Sequence, residues 1–299
     1  MNEYHQPVLL SESVDMLRVA PGGTYVDLTF GGGGHSREIL SRLGRTGRLV
    51  AFDQDADAQA NLPGDARLVF VHGNFRFMRG QLRLRGIEQV DGVLADLGVS
   101  SHHFDTPERG FSFRSDGPLD MRMNAQGSLT AERVVNTYAE GELTRVLRDY
   151  GEVETPWKVA SCLARSRAAR PVVTIGELIE AVAPCTPKKE PSKFLSKLFQ
   201  AVRIEVNGEM EALKMALEQS VGVLRPGGRL VVISYHSLED RLVKNFLRSG
   251  NFGGEVEKDF YGVPQTPFGE VSKAVTPGAA EVERNPRSRS AKLRAATKK

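Results

Sequence analysis

Residues 24–40 read TYVDLTFGGGGHSREIL, where four consecutive glycines separate a β-branched, aromatic run from a helical pattern. A turn of this kind lets backbone approach a ligand closely. A phosphate, a dinucleotide and a sulfonium compound could each use it. The phosphate loop G-x-x-x-x-G-K-[ST] needs a lysine after its last glycine. Here His35 and Ser36 follow Gly34, and no lysine is nearby. The dinucleotide fingerprint G-x-G-x-x-G is also incomplete, because its last position falls on Ser36 or Arg37. A tight turn with a purely structural purpose stays open at this point.

Working outward, GRLVAFD (47–53), ARLVFVHG (66–73) and VDGVLADLG (90–98) each read as a further strand, with helical segments between them. That alternation predicts right-handed crossovers and a mostly parallel sheet covered on both faces. The pattern then changes. Residues 99–128 lack sustained periodicity and read as a long loop. Three helical faces follow: Leu143, Val146, Leu147 and Tyr150; Ile175, Leu178, Ile179 and Val182; Leu195, Leu198, Phe199 and Val202. Strand-and-helix alternation resumes with Leu213, Leu217, Val221 and Leu224, then Pro226-Gly227-Gly228 and the strand RLVVISY. The simplest division is an α/β domain of residues 1–106 and 204–299, interrupted by a helical domain at 107–203. Residues 250–285 read as a loop-dominated closing segment.

Bulk properties narrow the classes. A chain of 299 residues suggests about two domains, and 40% hydrophobic with 26% charged residues is a soluble globular composition. The first ten residues lack the features of a signal peptide, and no apolar run approaches the ~20 residues that span a bilayer. The expected location is cytoplasmic. Cys162 and Cys185 are too few for a disulfide framework or a four-cysteine metal site, and both are expected as buried apolar residues in helical segments. No metal site is expected.

Carboxylates at strand ends then favour one ligand. Asp53 closes the second strand about twenty residues after the glycines, where an acidic side chain accepts hydrogen bonds from a ribose. A calcium loop starting there fails, since Ala58 and Gly64 occupy its sixth and twelfth positions. Phe75, just past the third strand, could cover an adenine face or simply pack in the core. Asp96, at the end of the fourth strand, faces the pocket of an open parallel sheet. A carboxylate there suits the cationic sulfonium and amino groups of S-adenosylmethionine and would oppose a pyrophosphate. Together with LRPGGRLVV (224–232), this arrangement resembles a class I methyltransferase core, so the expected fold is α/β and Rossmann-like, with a mostly parallel sheet and an inserted helical domain.

FGGGGHS, DLGVSS, RGFSFRSDGPLDMRM, FQAVRIEVNGE, ISYHSLEDR and NPRSRSAKLR run in order along the chain. With these blocks the sequence closely resembles the bacterial 16S ribosomal RNA cytosine-N(4) methyltransferase family over nearly its whole length. The resemblance implies methyl transfer from S-adenosylmethionine to a cytosine amino group in the decoding region of 16S rRNA, within a 30S subunit or late assembly particle. It also implies donor contacts at Gly33, Gly34, His35, Asp53, Phe75 and Asp96. One more family contact, usually glutamine, falls here on His103.

Methylation of an exocyclic nitrogen needs a positioned proton acceptor, whereas methylation at ring carbon would call for a cysteine nucleophile. Neither cysteine lies near a strand end that forms the pocket. Asp96 is the first candidate acceptor and His236, beyond the fifth strand in SYHSLEDR, the second. A structural histidine anchoring the following turn is the competing expectation for His236. Two stretches are expected to hold RNA. Residues 157–203 carry nine lysines and arginines against three glutamates, and 284–299 carry seven basic residues and no acid. Phe111 and Phe113, between Arg109 and Arg114, could stack on a base or pack the loop onto the core. On fold alone, a nicotinamide oxidoreductase and a non-catalytic RNA-binding assembly factor remain open.

Overall fold

The computed structural model describes residues 7–299 and divides into two compact units: residues up to Gly98 with Met210–Lys299, and Val99–Glu209. Most of the stretch read for a signal peptide, residues 1–6, lies outside the described residues. No helix among the described residues is long and apolar enough to cross a membrane.

The first unit is built on seven strands: β1 (Thr24–Asp27), β2 (Arg48–Asp53), β3 (Leu68–His72), β4 (Val90–Asp96), β5 (Leu224–Ser234), β6 (Phe268–Gly269) and β7 (Lys292–Lys298). They form one sheet in the order β3-β2-β1-β4-β5-β7-β6. The first five run parallel, and β7 lies antiparallel between β5 and β6. In register, Val26 sits beside Val50 and Val93, and Val232 beside Arg294.

In chain order the helices begin with α1 (Leu10–Leu17), α2 (Gly34–Arg42) and α3 (Met78–Arg83). The second unit holds α4 (Ser101–Asp105), α5 (Ala131–Thr137), α6 (Glu140–Asp149), α7 (Pro156–Ala169), α8 (Ile175–Val182) and α9 (Pro191–Asn207). The chain then returns to the sheet with α10 (Glu209–Val223), α11 (Ser237–Ser249) and α12 (Ala279–Arg284).

Alternation along the strands fills both faces of the sheet. Val26, Val50, Val93 and Val232 point into a core closed by Met78 and Leu82 of α3, Leu213 and Leu217 of α10, and Phe246 of α11. Their neighbours Tyr25, Leu49, Leu94 and Val231 point the other way, onto Val14 and Leu17 of α1 and Ile39 and Leu40 of α2. The chain leaves β1 in one direction toward β2 and β3, while β4 and β5 extend the other way. That reversal places a crevice at the carboxyl ends of β1 and β4.

The second unit has its own core. Leu143, Val146 and Leu147 of α6 meet Leu178 and Val182 of α8 and Leu198, Phe199 and Val202 of α9. Helix α8 opens with a reciprocal cap. Thr174 Oγ1 accepts from the Glu177 amide at 3.2 Å, and the Glu177 carboxylate accepts from the Thr174 amide at 3.1 Å. Gly208 ends α9 in a left-handed conformation, φ 58°. The expected insertion, 107–203, lies inside this unit, which also takes in the short helix α4 and the whole of α9.

Two findings differ from the expectations, and a third decides between two that were open. Residues 292–298 form an interior strand with Leu293, Ala295 and Ala296 buried, so this part of the basic C-terminal stretch is built into the sheet, while Arg284, Arg287 and Arg289 before it are exposed. Cys162 and Cys185 are joined by a disulfide between α7 and the turn after α8. Their separation of 23 residues gave no sign that the two helices bring them together. Phe111 is buried with its ring 4.8 Å from that of His103, and Phe113 packs edge-on against Phe199 at 5.4 Å. Packing, rather than presentation to a base, is what this loop's aromatic rings do here.

Candidate active site

Three adjacent strands, β2, β1 and β4, each end on an aspartate: Asp53, Asp27 and Asp96. The glycine turn follows β1 directly. Gly31 (φ 49°) and Gly33 (φ 75°) adopt left-handed backbone that side chains disfavour, and Gly33 caps the start of α2. A Cβ on Gly31 would meet nothing within 4 Å, so conformation alone fixes that glycine and the space over it is open. At Gly34 the constraint is contact, because Pro7 packs where a Cβ would stand.

Asp53 orders this turn. One of its oxygens accepts from the Gly31 amide at 2.7 Å and the other from the Asp55 amide at 2.9 Å. Asn61 Nδ2 donates to the Gly31 carbonyl at 3.1 Å, and Arg37 donates to Gly32 at 2.7 Å. Phe75 begins a short 3₁₀ turn (Phe75–Phe77) after β3 and packs half-buried against the core that holds Val71 and Met78.

Asp27 is fully buried. It accepts from Ser36 Oγ at 2.7 Å and from the Thr29 amide at 3.1 Å, fastening β1 to α2. Burial pushes its pKa up to about 6, and the neighbouring Asp53 charge adds to the rise against those hydrogen bonds.

Asp96 is the most constrained of the three. Its amide donates to Thr29 Oγ1 at 2.7 Å, and Oδ1 accepts from the Tyr235 hydroxyl at 2.8 Å. Oδ2 lies 3.7 Å from His35 Nδ1. The other ring nitrogen, Nε2, stands 3.2 Å from the Val8 carbonyl, which only accepts, so that nitrogen carries a proton. Burial pushes the Asp96 pKa up to about 7. The Tyr235 hydrogen bond works against this, while Asp27, Glu239 and Glu281 reinforce it. Burial and the adjacent Asp96 raise the Tyr235 phenol well above its ordinary range. The edge therefore gathers three carboxyl groups at adjacent strand ends, an arrangement that favours a cationic ligand.

His236 stands at the N-cap of α11. The buried Glu239 accepts from the Tyr235 amide at 2.8 Å and the His236 amide at 3.4 Å, and lies 3.2 Å from His236 Nε2. Its ring thus sits within a helix cap. His103 belongs to the helical unit, where Nδ1 lies 2.8 Å from Ser100 Oγ beside Phe111. Sequence reasoning did not single out Asp27, Thr29, Ser36, Tyr235 or Glu239. Asp27 carried the same signal as Asp53 and Asp96, a carboxylate closing an apolar strand.

This strand order, with an antiparallel seventh strand between the fifth and sixth and an acidic carboxyl edge, defines a class I methyltransferase fold. The profile described as the MraW methylase family matches residues 2–299, and the chain belongs to that family. Its similarity to individual proteins is high. It is 58% identical over 99% of its length to the ribosomal RNA small subunit methyltransferase H of Bacteroides thetaiotaomicron, covering 98% of that protein. The proteins of the same description from Parabacteroides distasonis and Flavobacterium johnsoniae are 57% and 54% identical, with 99% of this chain and 97% and 98% of theirs covered.

Proposed function

We propose that this enzyme transfers a methyl group from S-adenosylmethionine to the N(4) amino group of a cytosine in the decoding region of 16S rRNA. The observation that carries the reading is Asp96, fixed at the end of β4 by Thr29 and Tyr235 on a carboxyl edge that it shares with Asp27 and Asp53. Such an edge fits a cationic donor and opposes the pyrophosphate of a nicotinamide dinucleotide. The relatives described above, named as small-subunit ribosomal RNA methyltransferases, support the RNA acceptor.

The donor, when bound, supplies an electrophilic methyl group on positively charged sulfur. Gly33, Gly34 and His35 would hold it at the start of α2, with Phe75 against its base and His103 as a further contact. Asp53 would take its ribose hydroxyls. Each Asp53 oxygen accepts a backbone hydrogen bond, so the carboxylate is oriented before any ligand arrives. Asp96 would attract the cationic end.

A cytosine amino nitrogen must be held in line with the breaking sulfur–methyl bond, about 3 Å from the carbon, and loses a proton as the new bond forms. Asp96 is our first assignment for the acceptor, because it closes β4 at the carboxyl edge and Tyr235 orients its carboxylate through Oδ1. His236 is the second, since its cap contacts compete with proton transfer. The acceptor RNA is expected within a 30S subunit or late assembly particle in the cytoplasm.

The test is incubation with labelled donor and undermodified 30S particles, followed by mapping of the modified nucleoside. Label on a single cytosine N(4) is expected. A thermal-shift assay run in parallel should show stabilisation by S-adenosylmethionine and none by NAD, because a ligand that binds only the native state raises its stability. The opposite preference would refute the proposal.

A further inference from the structure

The geometry points to a base-stacking platform on the helical unit, formed by Trp157 with Lys158, Arg165, Lys188 and Lys189, that holds an unpaired stretch of RNA. This rests on the RNA-acceptor reading above and names a surface through which RNA would be held. Trp157 is the only tryptophan in the chain and is 56% exposed. It stands in the first turn of α7, where Pro156, Val159, Ala160 and Leu163 take the buried face and leave the indole and Lys158 outward. An indole in water forgoes the apolar burial it could contribute elsewhere, and nothing in the unit's own packing uses this one fully.

The surrounding cations are brought together by the fold. Cys162 of α7 is bonded to Cys185 in the turn after α8, and Cys185 Sγ lies 3.4 Å from the Lys158 carbonyl. Arg165 extends its guanidinium to within 3.4 Å of Cys162 Sγ. The turn that leads into Lys188 and Lys189 is therefore anchored beside the first turn of α7.

Ion pairing separates these four cations from others in the unit. Arg145 pairs with Glu205, Arg148 with Asp149, Arg170 with Glu177, Lys193 with Glu190, and Arg203 with Glu209. Lys158, Arg165, Lys188 and Lys189 are exposed and have no acidic group within 4 Å among the described residues. Glu154, also exposed, is the nearby acid in sequence, and it leaves the patch clearly positive. Exposed aromatic surface beside unpaired cations is the chemistry of single-strand binding. The ring stacks on a base of any identity and the ammonium groups replace counterions on the phosphates. The platform holds RNA and contributes no reacting group.

Because Trp157 is the sole tryptophan, its fluorescence reports on this site directly. The full chain would be titrated with a single-stranded oligoribonucleotide of decoding-region sequence, and separately with polyglutamate. Saturable quenching by RNA that weakens with salt is expected. Replacing Lys188→Gln and Lys189→Gln together should lower RNA affinity about tenfold at low salt and flatten the log–log salt slope by about 1.4, at roughly 0.7 per phosphate contact on single strands. Trp157→Ala should raise KM for undermodified 30S particles about tenfold, with S-adenosylmethionine affinity held within twofold, and Trp157→Phe should restore much of the loss. Absent quenching, unchanged affinity in the double variant, an unchanged KM, or equal quenching by polyglutamate would each overturn the platform. Failure of the wild type to methylate 30S particles would instead count against the proposed reaction, while the fluorescence titration still decides the platform.

Discussion

The two stretches richest in lysine and arginine, 157–203 and 284–299, look alike as sequence, yet the fold places some of their cations in opposite kinds of environment. In the second, Lys292 and Arg294 lie on a strand inside the sheet, and both are bound to Asp240 of α11 at 3.1 and 2.7 Å. In the first, several cations stand exposed without acidic partners around an exposed indole. Charge count is a property of composition, whereas availability depends on what the fold places opposite each charge. The same contrast separates the acidic edge of the sheet from the cationic face of the helices. At the edge burial makes each carboxylate count strongly, while on the helices water screens each ammonium group.

Truncation after Asn285 is the most severe way to test this contrast. Removing β7 strips β5 and β6 of their partner and exposes Leu293, Ala295 and Ala296 contacts on the core. The truncated protein is expected to lose its cooperative thermal transition. If it instead folds normally and only binds RNA less well, the terminal stretch is an RNA-binding tail after all.

Asp96→Asn is next in size. Affinity for S-adenosylmethionine measured by calorimetry should fall by about a hundredfold or more at pH 8. The ligand-free protein should respond in the other direction. A carboxyl whose folded pKa is raised contributes stability below its unfolded pKa and loses it as pH rises through the folded value. With Asp96 near 7, the variant should exceed the wild type by on the order of 1 kcal/mol at pH 8, and the gap should close toward pH 4. Equal donor affinity in the two proteins would remove Asp96 from the site.

Asp240→Ala is the mildest of the three. Burial would raise this carboxyl, but hydrogen bonds from Arg294 and Lys292 outweigh it and hold the pKa below the usual carboxylate range. The pair stabilises the wild type above about pH 4 and the benefit disappears as pH falls through the depressed value. Urea unfolding at pH 7 should show a loss of ~1–3 kcal/mol, shrinking toward pH 3. A loss that is independent of pH would mean that packing, not charge, joins α11 to β7.

Strands β1 to β4 were legible because each is a short apolar run closed by glycine or aspartate, and β5 because an apolar run follows Pro226-Gly227-Gly228. Asp53 and Asp96 stood out as candidate site residues for the same reason, and consistent use of that rule would have reached Asp27. Strand β7 was not legible. KLRAATK mixes cations with small residues, and its burial depends on pairing with β5, far away in sequence. Tyr235 was hidden because its role comes from a contact between strand ends, to Asp96, whereas Glu239 is a local cap at the start of α11, three residues after His236. The cysteine pair shows the same limit, since spacing alone does not reveal which helices lie side by side.

Neighbouring β4 and β5 are joined in the chain only through the helical unit, so Val90 finds Leu224 across more than a hundred intervening residues. Closing a flexible loop of that length costs about 4 kcal/mol in chain entropy. A nascent chain that first condenses α4 to α9 into their own core shortens the effective span before the sheet has to close. The order in which the halves acquire structure, more than final stability, would then govern how fast active protein accumulates after dilution from denaturant.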